Sequence, residues 1–148
     1  GLNHHTEATT MLYGARECAR IFVQEGLQNV YARHAVASKA VVAGLREMNL
    51  RVYGDVANKM PNVTGVYIPD GINGDKVRSA LLNDFNIEIG TSFGPLHGKV
   101  WRIGAMGYNA RQDAVLQTLA ALEIVLAAEE HKFTRAAGVD AAYESYKR

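Results

Sequence analysis

The chain has 148 residues, 48% hydrophobic and 21% charged, with a formal net charge of +1. That is one ordinary domain's worth of globular sequence, long enough to bury a core; the near-neutral charge and the lack of a basic run speak against a non-specific nucleic-acid binder, and no apolar run is long enough to span a bilayer. The single cysteine, Cys18, can form no internal disulfide, which suits a reducing compartment. No signal-peptide pattern opens the chain. It begins at Gly1 and passes at once into a patterned segment, "LNHHTEATT", so we read it as a fragment or a processed product.

In chain order, residues 8–25 predict a helix, because Met11, Leu12, Ala15, Ala19 and Phe22 recur at three- and four-residue steps. Thr6 is placed to cap its start and Gly26 to stop it. Leu27, Val30, Tyr31, His34, Ala37, Val41 and Leu45 predict a second helix over about 27–48. The period then changes. "LRVYG" (50–54) and "NVTGVYIP" (62–69) read as strands, the second closed by Pro69 and the turn "DGING". Asp75 is placed to cap a short helix over 76–85. "IEIGT" (87–91) reads as a strand, followed by a Gly/Pro loop over 90–99 and a strand carrying Arg102. Helices over 111–130 and about 137–146 complete the chain. This order predicts an α+β fold, a mixed or antiparallel sheet covered by helices. The first two helices look less self-contained and call for another domain.

The strand "GKVWRIGAMG" (98–107) poses the chemical question. Alternation puts Val100, Arg102 and Gly104 on one face and Trp101, Ile103 and Ala105 on the other. An arginine buried among such neighbours needs an anion. Glu88 or Asp84 could supply it as a structural pair. Alternatively the guanidinium receives a ligand carboxylate through two parallel hydrogen bonds. The nearby glycines Gly98, Gly104 and Gly107 favour the ligand, by clearing bulk around the arginine.

Other segments carry weaker signals. "GPLHGK" (94–99) is not a phosphate loop: only three residues separate Gly94 from Gly98, and Val100 stands where a hydroxyl residue is needed. In "NHHT" (3–6), adjacent His4 and His5 rarely aim at one ion, so no metal site is assigned. The same segment, at a helix start with the hydroxyl of Thr6, suits a phosphate. Cys18 reads as a buried, inert thiol. His34, His97 and His131 stand alone, with no nucleophile–base partner at recognisable spacing. None of the six lysines, Lys39, Lys59, Lys76, Lys99, Lys132 and Lys147, lies in an evidently buried setting.

"LNHHTEATTMLYG" and "SFGPLHGKVWRIGAMGYNA" together resemble two segments of the class V, fold-type I aminotransferases that use pyridoxal 5'-phosphate. The first resembles the family's Tyr-His-His-Thr segment and following helix. The second resembles its Gly-Pro, Gly-Lys-Val, Arg-Ile-Gly segment. The intervening "NKMPNVTGVYIPDGINGDKVRSALL" agrees in character, so the resemblance covers essentially the whole chain. It implies the end of the large cofactor-binding domain over residues 1–25 and the small C-terminal domain over 26–148. It implies that Arg102 holds a substrate carboxylate and that Thr6 reaches the cofactor phosphate of the neighbouring subunit in a homodimer. Asn3 stands where much of the family carries a tyrosine. A short amide offers a donor and an acceptor, as a ureido group would want, so Asn3 is a substrate-selecting candidate. The wording of both segments favours the branch that passes an amino group from (S)-ureidoglycine to glyoxylate in cytoplasmic purine catabolism; alanine or serine as donor is the alternative. The family's cofactor-anchoring lysine, its aspartate partner and its main phosphate helix lie upstream of this segment, so the resemblance implies that the chain alone is inactive, contributes no catalytic residue, and needs its large domain.

The same residue pattern admits two rival readings. A same-fold lyase would place a reactive cysteine on a mobile loop, whereas Cys18 is predicted on a helix. A non-catalytic α+β dimerisation domain would make no use of Arg102 toward small molecules.

Overall fold

The computed structural model describes residues 4–147. It divides into two units, Gly1–Ala32 and Arg33–Arg148. In the first, helix α1 (Thr9–Glu25) forms where the periodicity places it. Gly26 ends it as expected: at φ 84° its N–H donates to the Phe22 carbonyl. The start differs. Ala8 occupies the cap position with no side-chain hydrogen bond, so Thr6 does not cap the helix. Nor is Cys18 buried. It is exposed, and no residue of α1 is buried, because the helix turns its Met11, Leu12 and Phe22 to solvent.

Helix α2 (Leu27–Glu47) crosses from the first unit into the second. In the second unit its Ala37, Ala40, Val41 and Leu45 are buried, as the helical period requires. Strand β1 (Val63–Tyr67), helix α3 (Gly74–Phe85), strand β2 (Gly90–Thr91), strand β3 (Val100–Gly104), helix α4 (Gln112–Ala128) and helix α5 (Ala137–Tyr146) follow. Asn73, not Asp75, caps α3, its side chain accepting from the Asp75 and Lys76 N–H groups.

The sheet is wholly antiparallel, in the order β1-β3-β2. The alternation read from the sequence holds. Trp101, Ile103 and Ala105 are buried with Val66, and they join residues of α2, α3 and α4 in one core. Trp101 also donates through Nε1 to the Gly74 carbonyl at 3.2 Å. Two expected strands are shortened. "LRVYG" makes one bridge, Val52 to Val66, flanked by hydrogen bonds from Tyr53 N–H to Gly65 O and from Tyr67 N–H to Arg51 O. "IEIGT" pairs only at Gly90 and Thr91, because Asn86 and Ile87 donate back to Leu82 and Leu81 to close α3.

Helices α2, α4 and α5 meet where two glycines let them approach. A Cβ on Gly44 would fall 2.6 Å from Leu119 Cδ1 and 2.8 Å from the Gly138 carbonyl oxygen. A Cβ on Gly138 would fall 2.6 Å from Met48 Cε. No helix among the described residues is long and apolar enough to cross a membrane.

Candidate functional site

Arg102 occupies the middle of β3, on the face away from the core, and its side chain is exposed, not buried as the strand context suggested. Antiparallel pairing sets Gly65 of β1 opposite it on one side and Gly90 of β2 on the other. A Cβ on Gly90 would lie 3.5 Å from Arg102 Nη2, and Gly104 follows on the same face. The guanidinium therefore stands in a trough with glycine on three sides. The sequence reading credited Gly98 and Gly107 with this clearance. Both instead serve turns, at φ 69° and 57°. Strand pairing supplies the neighbours that count, and they lie far away in sequence. The available signal was an isolated glycine inside each of the strand patterns "NVTGVYIP" and "IEIGT".

Two contacts fix the arginine. Its Nε donates to the Thr91 carbonyl oxygen at 2.7 Å, and its Cζ lies 4.7 Å from the centroid of the Phe93 ring. Phe93, 73% exposed, is carried by a tight loop: a single 3-10 turn over Gly94–Leu96, with hydrogen bonds from Leu96 N–H to Phe93 O and His97 N–H to Gly94 O. Arg102 makes no ion pair with Glu88, Asp84 or any other described residue. With Nε engaged, its Nη1–Nη2 edge is the free prong pair, the geometry that accepts a carboxylate in two parallel bonds. On the same face Tyr53 leans over Gly65, where a Cβ would fall 3.1 Å from Tyr53 Cβ. Phe93, Tyr53 and the Thr91 carbonyl had no signal in the sequence reading.

Thr6 lies in the first unit, exposed, three residues before α1. No acidic residue sits in the first turn of that helix, and no side chain caps it. Of the N–H groups at the start of α1, that of Thr9 already donates to the Glu7 carbonyl oxygen at 2.8 Å. Asn3 lies outside the described residues. His4 and His5 contact each other through Nδ1 at 2.8 Å, and no group of three metal-ligating side chains occurs among the described residues.

Among the lysines, Lys59 is half-buried, contrary to the sequence reading, and burial pushes its ammonium below the usual lysine range. Its Nζ donates to Ser38 Oγ, Met60 O and Val63 O at 2.7, 3.0 and 3.4 Å. An ammonium with three donors already spent is no free amine. The other five lysines are exposed. His34, His97 and His131 each bond backbone: His34 Nε2 accepts from Gly107 N–H, while ring nitrogens of the other two donate to Ser92 O and Met48 O.

No protein-family profile matches the chain. It is 50% identical over 146 residues to the (S)-ureidoglycine–glyoxylate transaminase of Bacillus subtilis, covering 99% of this chain and 35% of that relative. It is 36% identical over 124 residues to the alanine–glyoxylate aminotransferase of Mus musculus, covering 83% of this chain and 30% of that one. The crystal structure of ureidoglycine–glyoxylate aminotransferase from Bacillus subtilis superposes with a TM-score of 0.92 at 50% identity, over 99% of this chain and 38% of that chain. The chain thus spans about a third of the length of the curated relatives it matches.

Proposed function

Because this chain is homologous to the C-terminal part of class V pyridoxal-phosphate aminotransferases, we propose that it is the C-terminal portion of an enzyme that transfers an amino group from (S)-ureidoglycine, or a small amino acid, to glyoxylate. The observation that carries the reading is the free Nη edge of Arg102 in its glycine-lined trough, anchored from behind by Thr91 and Phe93. A small amino or keto acid presents one carboxylate to such an edge and needs little room beyond it.

In this reading residues 1–25 end the large domain and 26–148 form the small one. Arg102 binds and orients the substrate carboxylate. Thr6, with the open start of α1, reaches the phosphate of pyridoxal 5'-phosphate held by the neighbouring subunit of a homodimer. That cofactor supplies the electron sink for transfer of the amino group. Asn3 is the residue assigned to selecting a donor with a ureido group. The enzyme belongs to cytoplasmic purine catabolism, with the missing large domain and a second subunit as its partners. In this reading the chain contributes no cofactor-anchoring lysine and has no turnover by itself.

A second reading, with alanine or serine as donor, draws on the 36% identity to the mouse alanine–glyoxylate enzyme. One experiment separates the two. In the complete enzyme, the cofactor's absorbance is followed as (S)-ureidoglycine, alanine and serine are added one at a time. A response to ureidoglycine alone is expected, and Asn3→Tyr is expected to move the response toward alanine. Equal responses to all three donors would replace the first reading with the second.

A further inference from the structure

We propose that the groove between α2 and the 55–60 loop binds a small phosphate-type oxyanion. This site stands apart from the Arg102 trough and does not depend on the aminotransferase reading. The groove is open to solvent and measures about 290 Å³; Ser38, Lys39, Arg46, Val56 and Lys59 are among the residues that line it. Three cationic residues are part of this lining and no acidic one is. The helical repeat makes this arrangement, since residues 38, 39, 42, 43 and 46 recur on one side of α2. Asp55, the acid of the facing loop, is turned onto that loop, where it accepts from Ala57 N–H at 2.9 Å and from Asn58 Nδ2 at 2.6 Å. The side chains of Lys39 and Arg46 have no hydrogen-bond or ion-pair partner among the described residues.

Ser38 adds a buried polar group to the groove. It is only 7% exposed, and its Oγ accepts from Lys59 Nζ at 2.7 Å. Its own hydroxyl proton has no acceptor among the described residues, so a buried donor is left over at the floor of the groove. Lys59, with its three N–H bonds spent, adds charge rather than a further bond, and its desolvated ammonium gains from a nearby anion. A concave site with one sign of charge concentrates counter-ions. A phosphate offers two negative charges and several acceptors, enough to meet an ammonium, a guanidinium and a hydroxyl together.

The test is calorimetric titration of inorganic phosphate into the full chain at low ionic strength. One saturable site is expected in this groove. The double variant Lys39→Ala/Arg46→Ala changes only exposed side chains and should weaken that binding at least tenfold, and Ser38→Ala should weaken it several-fold, with thermal unfolding confirming that each variant is folded. This separates the groove from any phosphate held near Thr6. A parallel titration with glycerol 3-phosphate distinguishes free phosphate from a phosphomonoester by which binds more tightly. No saturable heat, full binding by the double variant, or equal competition by chloride at the same ionic strength would each overturn the proposal.

Discussion

Arg102 Nε donates to the Thr91 carbonyl oxygen at 2.7 Å, so the edge strand β2 holds the guanidinium by its inner nitrogen and leaves the outer pair of nitrogens unspent. This division predicts that Arg102→Lys will not rescue function. Lysine keeps a charge but has no fork and cannot hold Thr91 while gripping a carboxylate with two bonds. In the complete enzyme, Arg102→Ala and Arg102→Lys should both lose about 1.5–3 kcal/mol of carboxylate binding, roughly 10- to 150-fold in affinity. Substrate titration of the two variants checks this. Parent-like affinity in the lysine variant would show that charge alone is enough.

The glycines beside Arg102 separate clearance from stability. A Cβ on Gly90 would sit 3.5 Å from Arg102 Nη2, in ordinary contact, so Gly90→Ala should change stability by less than about 0.5 kcal/mol. A valine there reaches the free edge, and Gly90→Val should weaken carboxylate binding while the chain still folds. Gly65→Ala acts differently. Its Cβ would meet Tyr53 Cβ at 3.1 Å, so the Tyr53 segment must shift, at a cost of about 1 kcal/mol. Urea unfolding and substrate titration of the three variants distinguish these effects; a Gly90→Val variant that binds substrate as the parent does would show that the trough is not where the carboxylate enters.

What the sequence made legible follows from what is local. The helices announced themselves through the three- and four-residue repeat of Val41 and Leu45 in α2 or Leu119 and Leu122 in α4, and all four are buried. The two faces of β3 were equally plain. Pairing across strands was not. Gly65 and Gly90 sit beside Arg102 only because β1 and β2 flank β3, and no spacing within "GKVWRIGAMG" reveals them. Cys18 was misread because an apolar stripe on α1 implies burial, and the described chain provides nothing to bury it. Lys59 was missed because the partner that buries it, Ser38, comes from helix α2, brought to the carbonyls of Met60 and Val63 only by folding.

Glu123 predicts the stability of the C-terminal helix. The residue before α5, Ala136, lies at φ 65° and offers no side-chain cap. The buried carboxylate of Glu123 on α4 takes that role, accepting from the N–H groups of Ala136, Gly138 and Val139 at 2.8, 2.9 and 3.3 Å. An anion at a helix start also meets the positive end of the helix dipole. Glu123→Ala strands these donors and should cost about 3 kcal/mol in urea unfolding. Glu123→Gln keeps an acceptor and should cost about 1 kcal/mol. Equal stability of the alanine variant and the parent would mean that α5 docks without this cap.

Tyr146 on α5 makes the alkaline limb of stability testable. Its hydroxyl oxygen is buried with no hydrogen-bond partner among the described residues. Burial, and then the charge of Asp113, pushes the phenol up to about 12. The unfolded chain releases this proton near pH 10, so between about pH 10 and 12 the native state holds a proton that the unfolded state has lost. Stability therefore falls as pH rises through that window, and the contribution is intact below it. Lys59 works in the opposite sense, since its lowered ammonium makes stability rise with pH below 10.5. Comparing Tyr146→Phe with the parent cancels the lysine and isolates the phenol. The variant should unfold with a flatter decline above pH 10, and at pH 7 it should be as stable as the parent or more so, because the hydroxyl it loses had no partner. Chemical unfolding midpoints measured in steps from pH 7 to 11.5 decide the matter: parallel curves for parent and variant would mean that Tyr146 ionises in the native state as readily as in the unfolded chain.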